Sequence, residues 1–205
     1  WLGGEAPQDF AKAEERRLRQ RAIVRFQQLT SPVAAKAVED TAGYRSAALI
    51  SRNDVGFDGE HFSHSIEQFH AANQQRAQLF PRAMVTTATH DHKRGEDTRA
   101  RLAVLSERGT WLASRVEHWR ELAAPLRAQL DDGLAPSPGD ELMLLQTLLG
   151  SWPLDLDLND DNALRQYAER VRQWQQKALR EGKLRSSWSA PNEAYEGACA
   201  HYLDG

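Results

Sequence analysis

Cysteine is nearly absent from the 205-residue sequence. Cys199 stands alone, so no intrachain disulfide can form, which fits a reducing, cytoplasmic location. No apolar run approaches the roughly 20 residues of a membrane span. No charged segment followed by an apolar one marks a signal peptide. The chain starts at Trp1 rather than methionine, so its reading frame is expected to begin upstream. A formal charge of -3 gives no electrostatic reason for a nucleic-acid partner. There is no glycine-rich phosphate loop, no nucleophile elbow, no internal repeat and no low-complexity tract. What is present is ordinary for a globular chain: 40% hydrophobic residues, enough for a core, and 27% charged residues.

One stretch concentrates functional side chains. Pro81 to Leu105 reads PRAMVTTATHDHKRGEDTRARLAVL. Its β-formers, Met84 to Thr87, predict a short strand over 84–88. Thr89, His90, Asp91, His92, Lys93 and Arg94 follow, and Glu96 and Asp97 open a helix. Sites gather where strands of parallel α/β folds run out into loops.

Helical spacing predicts most of the rest. A first helix spans Ala11 to Gln28, and its arginines 16, 17, 19, 21 and 25 read as a solvated face. A phosphate-binding strip would need interleaved aromatics, which are missing. Thr30 to Pro32 should break that helix, and Val33–Val38 then reads as a second short strand. Tyr44 to Ile50 look helical, Asn53 to Gly59 form a turn-rich loop, and Ser65 to Phe80 form a helix stopped by Pro81. A helix capped by Thr110 follows, then a loop at 136–139. Asp140 and Glu141 open a helix that Gly150 and Pro153 close. Asp160 or Asp161 opens a long helix ended by Gly182, and Asn192 caps the last one. Most of the six tryptophans fall at apolar helix positions and read as core.

Seven histidines raise a metal hypothesis. His61 and His64 are three apart, and His90 and His92 flank Asp91. Neighbours in a strand point to opposite faces, so His90 and Asp91 would not chelate one ion, and Lys93 and Arg94 would repel a cation. No metal is expected. His61, His64 and His118 read as surface or loop residues. Asp91 has two readings from chemistry alone. It can stabilise positive charge or accept a sugar hydroxyl, or it can make a salt bridge to Lys93 or Arg94. Lys93 likewise could pair with Asp91 or Asp97.

Four blocks in matching order resemble the maltooligosyl trehalose synthase family. They are RFQQLTSPVAAKAVEDTAGYR (25–45), THDHKRGEDTRARLAVLSE (89–107), LLQTLLGSWP (144–153) and SSWSAPNEAYE (186–196). The resemblance implies a retaining enzyme of the α-amylase superfamily on a (β/α)8 barrel, without metal or organic cofactor. It implies that Met84–Ala88 is the seventh strand and Val33–Val38 the sixth. Asp91 is then the third catalytic carboxylate and His90 a sugar-binding residue. Lys93, Arg94, Lys36 and Glu39 are candidate substrate-binding residues, and Asp40 completes the family's Lys-x-x-Glu-Asp block. This sequence departs from the family at Ser31, Ala37, Gly43, His92 and Gly95, which bears on subsite shape. The nucleophilic Asp and general-acid Glu have no counterpart here.

The expected fold is therefore mainly α: part of a (β/α)8 barrel over 1–109, with two short strands, and a helical insertion over 110–205. The implied activity turns the reducing-end α-1,4 bond of a maltooligosaccharide into an α,α-1,1 bond. The chain alone should be inactive, its partners being the oligosaccharide and the rest of the full-length polypeptide. An α-glucan hydrolase of the same superfamily, or a non-catalytic helical binding module, are the alternatives.

Overall fold

The computed structural model describes residues 13–205, so the start of the first expected helix lies outside it. Seven helices dominate. In chain order they are α1 (Ala13–Val38), α2 (Ile66–Leu79), α3 (Glu96–Ala103), α4 (Gly109–Leu122), α5 (Pro138–Ser151), α6 (Asp161–Gly182) and α7 (Glu193–Asp204). Their starts follow capping chemistry. Ser65 and Gln68 form a reciprocal capping box on α2. Ser137 accepts the Asp140 N–H at 3.2 Å, with Pro138 at the first position of α5. Asp160 accepts two N–H groups of α6, each at 3.0 Å. Asn192 caps α7 through the Tyr195 N–H at 3.0 Å. No described helix is long and apolar enough to cross a membrane.

Both expected strands are corrected. Val33–Val38 is the last part of α1, which runs through Pro32. Ala34, Ala35 and Ala37 are strong helix formers, and their propensity carries the helix past the proline. Residues 84–88 form no strand and include a bend at Thr87. A strand exists by hydrogen bonding to a neighbour, and none among the described residues pairs with 84–88. The strands that do form were not anticipated: β1 (Ala128–Leu130) and β2 (Gly133–Ala135), an antiparallel hairpin with Leu130 opposite Gly133. Asp131 and Asp132 make its loop, and Gly133 takes a φ of 117°, open to glycine at little cost. Two short 3-10 turns, Ala42–Tyr44 and Ile50–Arg52, replace the helix expected over 44–50. The 136–139 loop is shorter than expected, since α5 already begins at Pro138.

The core positions those turns. Tyr44, Ile50, Leu102, Met143 and Ala178 form one buried cluster, drawn from both sides of residue 109. The side chain of Gln146 on α5 is fully buried and pins the 47–50 segment. It donates to the Ala47 carbonyl at 2.6 Å and accepts the Ile50 N–H at 3.0 Å. Glu141, also buried, is matched by Arg120 at 2.8 Å, Arg127, and the Tyr202 hydroxyl at 2.6 Å. A buried carboxylate needs such partners. No described tryptophan is buried, which corrects the reading of most as core. Trp111, Trp152 and Trp188 are exposed; Trp174 is half-buried against two core clusters. Indole is large enough to pack with one edge and keep the other in water.

Helices α3 and α5 cross closely at Gly150. A Cβ there would lie 2.9 Å from Leu102 Cγ and from Thr98 Cγ2. Gly150→Ala should therefore destabilise the full-length protein by about 1–3 kcal/mol through overpacking. Gly139→Ala, where a Cβ meets nothing within 4 Å, should be neutral or slightly stabilising. Thermal melts of the two variants check this contrast.

Candidate active site

The His-Asp-x-Lys-Arg turn folds against the end of α1 and the loop that starts at Asn53. Asp91 adopts a φ of 72°. Left-handed backbone is uncommon outside glycine, and Asp is among the residues that tolerate it. This twist sends successive side chains of the turn to different neighbours. Asp91 stays about half exposed, at 48% of its side-chain surface, while Lys93 keeps only 4%. The Lys93 ammonium pairs with Asp40 and lies 3.4 Å from Asp91 Oδ1. Lys36, four residues before Asp40 on α1, reaches the other Asp40 oxygen from the solvent side, with 71% exposure.

These four side chains form an alternating charge cluster. Burial alone would raise the Asp40 carboxyl, but hydrogen bonds from Lys36 and Lys93 outweigh it and hold the carboxyl below its usual range. Burial would depress Lys93 too, and its bond to Asp40 outweighs that, so the ammonium titrates above its usual value. Lys36 is raised chiefly by its hydrogen bond to Asp40. Asp40, Lys93 and Lys36 are thus charged at neutral pH.

The remaining expected site residues are distributed around the cluster. Arg94 makes no salt bridge to Asp91 and donates to the Asn53 carbonyl at 3.0 Å. Burial lowers its pKa. With Lys93, Thr98, Ser151, Tyr167 and Trp174 it borders a cavity of about 390 Å³ against α5 and α6. Glu39 does not join the cluster; it accepts the Gly56 N–H at 3.0 Å and ties α1 to the 53–59 loop. His90 is exposed beside Asp91. His92 closes the turn: its Nδ1 accepts the Thr89 N–H at 2.8 Å. His61, His64 and His118 are exposed, and His61 Nδ1 sits 2.8 Å from Asp58. Among the described residues no group of three or more His, Cys, Asp or Glu side chains could hold a metal ion.

Three neighbours escaped the sequence reading. Tyr44 is buried against the cluster, and burial raises its hydroxyl pKa. Asn53 donates to the Gly43 carbonyl at 2.6 Å. Asp54 accepts the Lys93 N–H at 2.9 Å. The sequence shows Tyr44 only at the start of an expected helix and Asn53 and Asp54 only in a turn-rich loop; their burial is a tertiary property.

Comparison with known proteins decides the family. Over 181 residues, 88% of this chain, it is 39% identical to a Mycobacterium tuberculosis protein named as a maltooligosyl trehalose synthase. The chain belongs to the maltooligosyl trehalose synthase family. It spans 22% of that relative's length. Solved structures agree. A Sulfolobus tokodaii maltooligosyl trehalose synthase structure superposes with a TM-score of 0.75 at 30% identity, over 98% of this chain and 27% of that one. The Arthrobacter ramosus maltooligosyltrehalose synthase gives 0.69 at 31% identity, over 89% and 21%. No protein-family model matches.

The cluster's titrations set a sign for stability in this synthase segment. Asp40 is lowered, so its contribution is complete above the unfolded pKa of about 3.9 and is lost as pH falls through the folded value. Lys93 is raised, so its contribution is complete below about 10.4 and is lost as pH rises through the folded value. Asp40→Asn in the full-length protein should thus lower the melting temperature most between these limits. The gap to wild type should narrow below about pH 4. Melts at pH 7 and pH 3 measure it.

Proposed function

We propose that the complete polypeptide carrying this chain converts the reducing-end α-1,4 linkage of maltooligosaccharides to α,α-1,1. The product is a maltooligosyl trehalose, and the chemistry is an intramolecular transglucosylation. The observation that carries this reading is the 39% identity to a named synthase across a segment that contains the Asp91–Lys93–Asp40–Lys36 cluster. The chain would be part of a (β/α)8 barrel with a helical insertion over 110–205. Residues 84–88 would pair as a strand once the rest of the sheet is present. Exposed apolar side chains there and on α2, such as Met84 at 98%, Val85, Phe69 and Ile66, support a missing neighbour.

A retaining glycosyl transfer needs a carboxylate nucleophile and an acid/base carboxyl, and passes through an oxocarbenium-like state. Both groups would come from outside this chain, which should be inactive alone. Asp91 is the third carboxylate. Its half-exposed side chain is free to accept sugar hydroxyls, and its hold tightens as positive charge grows on the ring. The buried, charged Lys93 stands beside it and can donate to hydroxyls of the glucose that leaves, turns and re-attacks through its anomeric oxygen. His90 lies exposed next to Asp91 and can meet the sugar as well. Lys36 and Arg94 bound the acceptor side, and Glu39 supports it through the 53–59 loop. No metal or organic cofactor is invoked.

Full-length enzyme incubated with maltopentaose should consume reducing ends without net hydrolysis. New reducing ends would identify an α-glucan hydrolase instead, and no turnover would favour a binding module. Asp91→Asn should lower kcat by about 10²–10³ with little change in KM, the cost of one preorganised electrostatic partner. A raised KM at normal kcat would make Asp91 a binding residue only.

A further inference from the structure

Asp54 has no role in the mechanism above, yet it is a carboxylate with 7% exposure in a loop. Burying a charge is costly unless hydrogen bonds offset the loss of water. Its Oδ1 accepts two of them: the Val55 N–H at 2.8 Å and the Lys93 N–H at 2.9 Å. The first is local. The second crosses 39 residues of sequence and lands on the one backbone donor that matters, that of the lysine beside Asp91. Oδ2 is buried and without a partner among the described residues.

The neighbouring contacts show what this bond controls. Asn53 fixes the loop from behind by donating to Gly43, and its own carbonyl receives Arg94. Gly56, at a φ of 77°, lets the loop turn back so that Glu39 can take its N–H. Lys93 is thereby held at two ends. Asp40 fixes its ammonium, and Asp54 fixes its backbone nitrogen. Asp91 is two residues away in a left-handed conformation, with about half of its side chain exposed. A turn with one strained residue keeps its shape only if its surroundings over-determine it.

We propose that Asp54 is a positioning residue of the glucosyl-transfer site. Its Oδ1 anchors the Lys93 backbone and so aims the Lys93 ammonium and the Asp91 carboxylate at the acceptor glucose. The proposal rests on the transglucosylase reading given above. Asp54 touches no sugar. It acts through Lys93, and its effect falls on the partition between isomerisation and escape of glucose. A bound nucleophile competes with water through its orientation, and a misplacement of about 1 Å can cost about 10²-fold.

The test uses full-length enzyme and maltopentaose, with trehalose ends formed and free glucose released counted together. Asp54→Ala should lower the ratio of trehalose ends to glucose by roughly 10- to 100-fold. Asp54→Asn keeps an Oδ1 acceptor for both N–H groups and should restore the wild-type ratio. A purely structural role would lower yield or melting temperature and leave the ratio alone. If alanine prevents folding, Asp54→Ser withdraws the acceptor from Lys93 while keeping a polar group, and is read by the same ratio. An unchanged ratio in Asp54→Ala or Asp54→Ser overturns the assignment. So does an asparagine variant that fails like alanine, because charge and not the acceptor would then be what counts. A wild-type enzyme that only creates reducing ends overturns the synthase reading itself, and Asp54's role with it.

Discussion

Lys93 keeps its charge inside the protein because Asp40 meets it there. An ammonium with 4% exposure would lose its proton or refuse burial if it stood alone. Asp40 is shared with Lys36, so the pair is joined to the end of α1, and α1 is joined to the 53–59 loop through Glu39. The loop returns to Lys93 through Asp54 and to Arg94 through Asn53. Three segments far apart in sequence are thus closed into one polar ring around the Asp91 turn. Buried ion pairs add little net stability against apolar packing, but losing one partner leaves the other stranded. The ring is therefore better understood as fixing direction than as adding strength.

The helical half supports that ring from below. Gln146 pins the 47–50 segment, Arg45 donates to the Gly182 carbonyl at 2.6 Å, and Leu102 closes the core between α3 and α5. The turn that carries Asp91 and Lys93 leads directly into α3. Packing of α3 on α5 therefore sets where the turn begins and ends. By contrast, α1 and α2 bury none of their residues. Apolar side chains such as Phe26 and Leu29 on α1 and Ile66 and Phe69 on α2 stay open to solvent.

Local chemistry was readable in sequence, and long-range pairing was not. Ser65, Asp160 and Asn192 announce helix starts because a cap is decided within a few residues. The run His90 to Arg94 is visible as a dense polar stretch, whereas Lys36 and Asp40 entered only through the family resemblance. Val33–Val38 was misread because a helix-forming alanine run outweighed the proline before it. Residues 84–88 have strand composition, but composition supplies no partner. The hairpin at 128–135 is too short to show alternation, although its Asp-Gly pair is a hairpin signal. The tryptophans and Asp54 fall on opposite sides of one lesson. Apolar residues at helical spacing stayed exposed and an acid in a loop became buried, because burial depends on what the tertiary fold brings near.

In the proposed reaction Lys93 holds the departing glucose in place while the new bond forms. In that reaction water and glucose would compete for the same glycosyl intermediate, and effective molarities of about 10⁵ M or more are available to a well-aimed nucleophile. The most direct measurement is the product partition of Lys93→Ala in the full-length enzyme, scored as free glucose released per trehalose end formed. The account predicts that bond cleavage persists while that ratio rises. Cleavage and isomerisation falling together, with the ratio unchanged, would contradict it and reduce Lys93 to a structural partner of Asp40.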